Sequence, residues 1–213
     1  MDVFARLRFV GLFVLSFLLS GFTTSFDSEL IEATRSTDLE TVARLVTDGS
    51  DLNEVTGDGM TAVHWAADLG HISILELLLD AGAEVNPTTR IGSYTPLHLA
   101  SSQANSAIVK KLLEAGADVS APTTNSLATA LHLAAQVVGG AESVKHLIAY
   151  GADPNAKERA AGHIPLIFAA AKNRVESVQL LLDAGADPSI STTIVDVLQH
   201  VLADQQARDF LRQ

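Results

Sequence analysis

Short apolar blocks recur along this chain at an almost constant interval. Four related blocks stand at 61–67, 95–101, 129–135 and 164–170, and they read TAVHWAA, TPLHLAS, TALHLAA and IPLIFAA. A longer apolar run follows each block and ends at a glycine; these glycines are Gly82, Gly116, Gly151 and Gly185. Successive blocks begin 34, 34 and 35 residues apart. A period in this range predicts a solenoid of stacked units, because one unit is too small to bury its own apolar face.

Each unit is predicted to contain two helices. A threonine opens the short block in three copies (Thr61, Thr95 and Thr129), where its hydroxyl can accept a hydrogen bond from a free backbone N–H of the first turn. Pro96 occupies the first helical position, where a missing N–H costs nothing. The second helix is clearest at 72–81, whose leucines and isoleucines form a broad apolar face. The closing glycine then ends that helix in a left-handed conformation.

Most apolar residues of the first helices are assigned to the core. Leu97, Leu99 and Ala100 are expected to face inward. Trp65 and Phe168 stand at the repeat position that other copies give to leucine. We therefore expect both aromatic side chains to pack in the core first and to contact a partner second.

These repeats resemble ankyrin repeats, whose signature is T-P-L-H-x-A within a unit of about 33 residues. The resemblance extends over roughly 27–189. It implies an all-α ankyrin-repeat solenoid of stacked helix–turn–helix units with β-turn arms. It also implies a structural role for the signature histidines, His64, His98 and His132, which are expected to hydrogen-bond locally and to tie one arm to the next.

The repeat boundaries divide the chain into a series of units. Residues 26–213 are predicted to form one ankyrin-repeat domain. Its units, numbered 1 to 6 here, lie at about 27–56 (an N-terminal cap), 57–90, 91–124, 125–159, 160–190 and 191–213 (a C-terminal cap). Unit 1 is degenerate, and the stretch from Thr37 to Glu40 has the form of a capping box for its second helix.

Units 4 and 5 depart from the pattern. Unit 4 carries one extra residue around 137–140, which predicts a longer turn between its two helices. Unit 5 has Ile164 where the cap threonine belongs and Ile167 where the histidine belongs. Its first helix is therefore expected to be less firmly tied at its start, although Pro165 keeps the correct first position.

The start of the chain is a different kind of segment. Arg6 and Arg8 precede an apolar run without charge at 9–22, and small polar residues follow it. This order predicts a secretory signal peptide over 1–25, with Phe26 as the first residue of the mature protein. The run is shorter than the about 20 residues that span a bilayer. An uncleaved membrane anchor is the alternative, and the expected location is the periplasm, with secretion or membrane anchoring as alternatives.

The chain is acidic and contains no cysteine. Its 14 basic residues stand against 25 acidic ones, which gives a formal net charge of −11. Such a surface repels phosphate backbones and anionic headgroups, so neither nucleic acid nor membrane is expected as a partner after signal cleavage. A chain without cysteine forms no disulfide, which favours a bacterial envelope protein over a secreted animal one.

The sequence contains no motif of recognised catalytic chemistry. There is no G-x-S-x-G, Walker-type glycine loop, H-E-x-x-H or cysteine nucleophile. The signature histidines fail as a metal site, because equivalent points on stacked helices lie about 8–10 Å apart and zinc holds nitrogen ligands at about 2.0–2.1 Å. We predict no enzyme activity, no cofactor and no metal site, while loose surface metal binding by His71 or His163 stays open.

The resemblance implies where a partner binds. Ankyrin-repeat proteins usually meet their partners through the turn tips and the exposed side of the first helices, which line a concave surface. Transferred to this chain, the predicted contact residues are Asp58, Met60, Leu69, Ile91, Tyr94, Gln103, Asn125, Val137 and His163. The apolar and aromatic members are expected to be exposed, and Tyr94 is the strongest candidate because tyrosine is enriched at binding hot spots.

These observations predict a non-catalytic scaffold or adaptor of the cell envelope. It is expected to be a monomer that binds an unknown protein through its concave face and turn tips. One alternative is an immunity or inhibitor protein that blocks a toxin or enzyme. A further alternative is an exported enzyme or metal-handling protein whose site the sequence does not reveal.

Overall fold

Ten helices, two in each of units 1 to 5, make up the part of the chain that the computed structural model describes, residues 29–190. They are α1 (Glu29–Arg35), α2 (Leu39–Thr47), α3 (Ala62–Leu69), α4 (Ile72–Asp80), α5 (Pro96–Ser102), α6 (Ser106–Glu114), α7 (Ala130–Gln136), α8 (Ala141–Ala149), α9 (Pro165–Ala171) and α10 (Val175–Asp183). The predicted signal peptide at 1–25 and the predicted C-terminal cap at 191–213 lie outside the described residues.

The helices form two rows. The first helices of successive units contact one another in the order α1, α3, α5, α7 and α9, and the second helices do so in the order α2, α4, α6, α8 and α10. Each first helix also packs against the second helix of its own unit. This two-row stack confirms the predicted all-α solenoid.

One apolar core runs through all five units. Small residues of the first helices are fully buried in it, as Ala66, Ala100 and Ala134 show. Leucines of the second helices, such as Leu78 and Leu112, fill the space behind them. Alanine at these positions lets the two rows approach closely, so each unit buries its apolar surface against its neighbours.

At the repeat signature, the threonine and the histidine three residues later cap the helix together, because the side chain of each bonds to the backbone of the other. The hydroxyls of Thr61 and Thr95 each accept a hydrogen bond from the backbone N–H of the histidine three residues later. The ring Nδ1 of each signature histidine accepts the backbone N–H of its threonine at 3.1 Å in units 2, 3 and 4. In unit 5 the Ile164 side chain offers no such bond, as the sequence predicted.

The predicted cap of α2 is wrong by one residue. Asp38, not Thr37, caps this helix: its carboxylate accepts the backbone N–H of Thr41 at 3.0 Å and the Thr41 hydroxyl at 2.7 Å. Thr37 has a φ of 62°, at the left-handed turn position that Gly70 occupies in unit 2. A residue in that conformation ends the preceding turn and does not cap the next helix.

The remaining turn predictions are confirmed. The four closing glycines all have φ near 90°, as a left-handed helix end requires. The connection between α7 and α8 covers 137–140, one residue more than the connections at 103–105 and 172–174. At Gly140 the turn passes so close to α7 that a β-carbon would overlap the carbonyl oxygen of Ala134.

Candidate functional site

The first helices leave one side uncovered. In α3, residues 65, 68 and 69 are more exposed than their neighbours, and positions i, i+3 and i+4 share one helix face. The equivalent positions of units 3 to 5 are also partly or fully exposed, although in unit 5 the neighbouring Ala170 is exposed as well. We call this surface the inner face; it comprises residues 65, 68, 69, 99, 102, 103, 133, 136, 137, 168, 171 and 172.

Four large apolar side chains run along the middle of the inner face. Trp65, Leu99, Leu133 and Phe168 occupy the same position in units 2 to 5, and all four are half-buried. We call this row the apolar stripe. Leu99 was expected to face inward, but the helix period places it on the open side, next to the buried His98. The two aromatic side chains likewise keep part of their surface available to a partner.

The two ends of the apolar stripe have different neighbours. At Trp65, the guanidinium carbon of Arg35 lies 4.7 Å from the ring centroid, which is a cation–π arrangement. At the other end, the Phe168 ring meets the rings of His132 and His163 edge to face, with centroid distances of 5.3 Å and 5.9 Å. Both aromatic side chains are therefore held in place before any partner binds.

The signature histidines fix the turn tips beside the inner face. The Nε2 atom of His64 lies 3.0 Å from the Tyr94 carbonyl oxygen, and that of His132 lies 3.1 Å from the His163 carbonyl oxygen. Each bond links one unit to the tip of the next, which agrees with the implied role for His64 and His132. In unit 3 the Nε2 atom of His98 finds no partner of hydrogen-bond geometry.

Burial governs the charge of the signature histidines. Burial lowers the pKa of His64, His98 and His132 below the usual histidine range, and nearby backbone carbonyls offset only part of this effect. The three imidazole rings are therefore neutral, and in each ring one nitrogen can donate a hydrogen bond and the other can accept one. Within residues 29–190, no group of three or more histidine or carboxylate side chains is placed to hold a metal ion.

Backbone hydrogen bonds align the turn tips in a row. The N–H of Arg90 donates to the Asp58 carbonyl at 2.8 Å, and the N–H of Thr124 donates to the Gly92 carbonyl at 2.9 Å. The N–H of Arg159 continues the series towards Ser126. The turn tips are the loops at 56–60, 89–94, 123–128 and 158–163, which lead into the first helices of units 2 to 5. The three bonds join each of these loops to the next, which makes the edge of the inner face an ordered surface.

The tip of unit 5 is built around a buried carboxylate. Glu158 accepts the backbone N–H groups of Ala160, Ala161 and His163 at 2.5, 2.7 and 3.1 Å. Burial raises the pKa of Glu158, but these three donors outweigh it and hold the pKa below the usual glutamate value. In the preceding turn tip, the hydroxyl of Thr123 stabilises the loop in a similar way, because it accepts the N–H of Ala128.

Five of the nine predicted contact residues are exposed. They are Asp58, Leu69, Ile91, Gln103 and Asn125. Ile91 is the extreme case, with 83% of its surface accessible, and Leu69 is 45% accessible. Their role in binding stays a prediction, but their exposure agrees with it.

The expected exposure is wrong for Met60, Tyr94 and Val137, which are half-buried, as is His163. The Tyr94 ring packs edge-on against His98, at 6.0 Å between ring centroids. Its hydroxyl accepts a hydrogen bond from the Asn125 amide at 3.2 Å. Tyr94 therefore links the turn tips of units 3 and 4.

Two features of the surface were not predicted. Val138 and Val175 lie near the turns between the helices of units 4 and 5 and are 75% and 70% accessible. A cavity of ≈ 220 Å³ opens where α7 and α9 meet; Gln136, His163, Ile167, Phe168, Ala171 and Lys172 line it. We call this cavity the notch. The replacement of histidine and leucine by Ile167 and Phe168 was its only signal in the sequence.

No helix within residues 29–190 is both long and apolar enough to cross a bilayer. The apolar run at 9–22 lies outside that range.

Comparison with known proteins agrees with this architecture. The family model described as ankyrin repeats (3 copies) matches residues 30–123 and 121–192. Myotrophin of Xenopus tropicalis is 39% identical over 57 residues, which are 27% of this chain and 48% of myotrophin. The chain thus spans about half the length of that relative. The family match covers most of the chain, and together with the stacked helix pairs and the capped T-P-L-H signature it places the protein in the ankyrin-repeat family.

Proposed function

We propose that this protein is a non-catalytic scaffold that binds another protein on its inner face. Ankyrin repeats generally mediate protein–protein interaction, and proteins of this family are typically non-catalytic. The observation that carries the proposal is the apolar stripe, in which four consecutive units each leave a large apolar side chain partly exposed. Isolated exposed apolar residues are common on proteins, but an aligned row of them favours a docking surface.

The surroundings of the apolar stripe support this function. Polar residues flank it in units 2 to 4, where Asp68, Ser102 and Gln136 follow one turn later on the first helix. An apolar centre with a polar rim is the usual composition of a protein interface. Neighbouring helices pack about 8–10 Å apart, so four units offer a platform roughly 24–30 Å long.

The stack is ordered before binding. The tips are joined by backbone bonds and the signature histidines tie units together, so little conformational freedom is lost when a partner docks. Preorganisation of this kind raises affinity because it lowers the entropy cost of association. The net charge of −11 favours a partner that carries positive charge overall, through long-range steering. A toxin or enzyme blocked by this chain, as an immunity or inhibitor protein would do, is a specific case.

We propose further that the protein acts in the cell envelope after export. This proposal is supported by residues 1–25, where basic, apolar and small polar residues follow one another as in a secretory signal peptide. N-terminal sequencing of the protein recovered from cells tests this part alone. Phe26 is the expected first residue, and a chain that begins at Met1 in the membrane fraction contradicts cleavage.

Crosslinking in intact cells, followed by affinity capture, tests the binding function. The informative variant is Leu69→Lys, which places a charge on the inner face at a residue that is 45% accessible. Tyr150→Lys is the matched control, because Tyr150 is 46% accessible and lies at the end of α8, in the other row of helices. A protein should crosslink to the wild type and to the control and be lost from Leu69→Lys. Equal capture by all three chains, or none by the wild type, refutes the proposal.

A further inference from the structure

The notch interrupts the inner face, and its shape and chemistry suit a particular guest. It lies between units 4 and 5, where Phe168 ends the apolar stripe. A small residue at the second of the three inner-face positions of unit 5 leaves the notch open. Gln136, the residue at this position in unit 4, lines one side of the notch, whereas unit 5 has Ala171, which is much smaller than Gln136 or the Asp68 of unit 2.

The size of the notch indicates a single side chain. Pockets for drug-sized ligands and cofactors measure about 300–1,000 Å³, and a buried apolar cavity of about 150 Å³ accepts a benzene molecule. At ≈ 220 Å³ the notch is too small for a cofactor and large enough for one aromatic ring. Aromatic rings are also the side chains that dominate protein interfaces.

The lining of the notch suits an aromatic guest. Ile167, Phe168 and Ala171 provide apolar contact. The Phe168 ring already makes edge-to-face contacts with two imidazoles, at 5.3 Å and 5.9 Å. Aromatic pairs prefer edge-to-face or offset geometry, and a guest ring would extend this existing arrangement.

Two polar groups of the notch have no partner among the described residues. The Nε2 atom of His163 is buried and makes no hydrogen bond. Its other ring nitrogen, Nδ1, lies 3.7 Å from the Glu158 carboxylate, which favours the proton on Nδ1 and leaves Nε2 as an acceptor. Lys172, at the rim, forms no ion pair with any carboxylate within residues 29–190.

We propose that the notch receives a tyrosine side chain of the partner protein, followed or preceded by an acidic residue. The tyrosine ring fills the apolar space, its hydroxyl donates to Nε2 of His163, and the neighbouring carboxylate pairs with Lys172. This inference rests on the proposed binding function, since it names the chemistry that the partner presents at one point of the inner face. A partner that is basic overall still carries this local acidic residue.

A random dodecapeptide library displayed on phage, selected against the immobilised full chain, tests the proposal. Enriched peptides should contain tyrosine next to aspartate or glutamate. The affinity of an enriched peptide is then measured by fluorescence anisotropy. Ala171→Leu fills the notch from an exposed position and should weaken binding at least about tenfold. Ala149→Leu, the same change at an exposed residue of α8 in the other row of helices, is the matched control and should leave the affinity within about twofold.

Two further binding measurements distinguish the contact of the tyrosine hydroxyl with His163 from that of the carboxylate with Lys172. Replacement of tyrosine by phenylalanine in the peptide should weaken binding to the wild type several-fold. Lys172→Glu should weaken an acidic peptide and not its glutamine analogue. Circular dichroism melting of each variant shows that the stack remains folded.

Several results would overturn the notch proposal. They are the absence of any enriched peptide, enrichment of peptides that lack tyrosine, and equal binding to Ala171→Leu. If residues 191–213 of the chain itself occupied the notch, no peptide would be enriched, and the proposal would fall in the same way. If Ala171→Leu still captures the crosslinked partner that Leu69→Lys loses, the scaffold function stands and only the notch proposal fails.

Discussion

A serine in unit 3 occupies a position where units 1, 2 and 4 carry an asparagine that bonds to the next unit. In unit 1, Asn53 accepts the Glu84 N–H at 2.9 Å. Asn86 donates to the Gly116 carbonyl at 3.2 Å and accepts the Asp118 N–H at 2.8 Å, so it links unit 2 to unit 3. Asn155 links unit 4 to unit 5 through the same pair of bonds. Ser120 stands at the equivalent position, and its hydroxyl instead donates to Asp118 in its own unit at 2.6 Å. The junction of units 3 and 4 therefore lacks this bridge.

We predict that Ser120→Asn stabilises the protein. The new side chain should form two hydrogen bonds across the junction, each worth about 0.5–1.5 kcal/mol net. The loss of the Ser120 hydroxyl bond and the ordering of a longer side chain at an exposed position offset part of this gain. The expected increase in the free energy of unfolding is about 1 kcal/mol, or about 2–4 °C in Tm for a chain of this size.

Thermal and urea unfolding, followed by far-ultraviolet circular dichroism, measure the effect. Asn86→Ser and Asn155→Ser are the reverse changes and should lower Tm by a similar amount. Ser120→Ala is the control, because it removes the hydroxyl without adding a bridge. If Ser120→Asn fails to raise Tm while both reverse variants also leave Tm unchanged, the asparagine bridges do not hold the units together and the reasoning is refuted.

Three other changes test the fold. Burial holds the pKa of the signature histidines below that of the unfolded chain, near 6.5, so the unfolded state gains protons first on acidification. The full contribution of the neutral histidines to the free energy of unfolding should therefore be present above about pH 6.5 and be lost below it. A urea midpoint that is higher at pH 5.5 than at pH 7.5 would contradict this. Gly140→Ala should cost about 1–3 kcal/mol because its methyl group overlaps the Ala134 carbonyl, whereas Gly57→Ala, in open space, should be nearly neutral in the same urea titration. Among the described residues, Ala170 of unit 5 is exposed, whereas the equivalent alanines of units 2 and 4 are fully buried by the unit that follows them. If residues 191–213 form the predicted cap on unit 5, their deletion should lower Tm by several degrees. An unchanged Tm means that no cap lies there.

The repeat period was sufficient to predict the stack, because each unit repeats one set of local signals. Threonine caps, closing glycines and the apolar runs act within a few residues of the chain, and the structure has them where the sequence placed them. The loss of the cap at Ile164 could be predicted for the same reason.

Features that depend on contacts between units could not be predicted from the chain alone. The Tyr94 ring is covered by His98 of its own unit and its hydroxyl is bonded to Asn125 of the next. Thr37 matched a cap pattern, but the turn between α1 and α2 holds it in a left-handed conformation, so Asp38 caps instead. The notch needs side chains from two helices and a turn tip, and it exists only after units 4 and 5 have packed.

Site-specific photo-crosslinking tests the central claim most directly. Benzoylphenylalanine is introduced in cells at Gln103, an exposed residue of the inner face, and separately at Lys145, an exposed residue of α8 in the row of second helices. If a partner docks on the inner face, irradiation yields a protein adduct from position 103 and none from position 145. An adduct from position 145 alone, or from neither position, contradicts the claim.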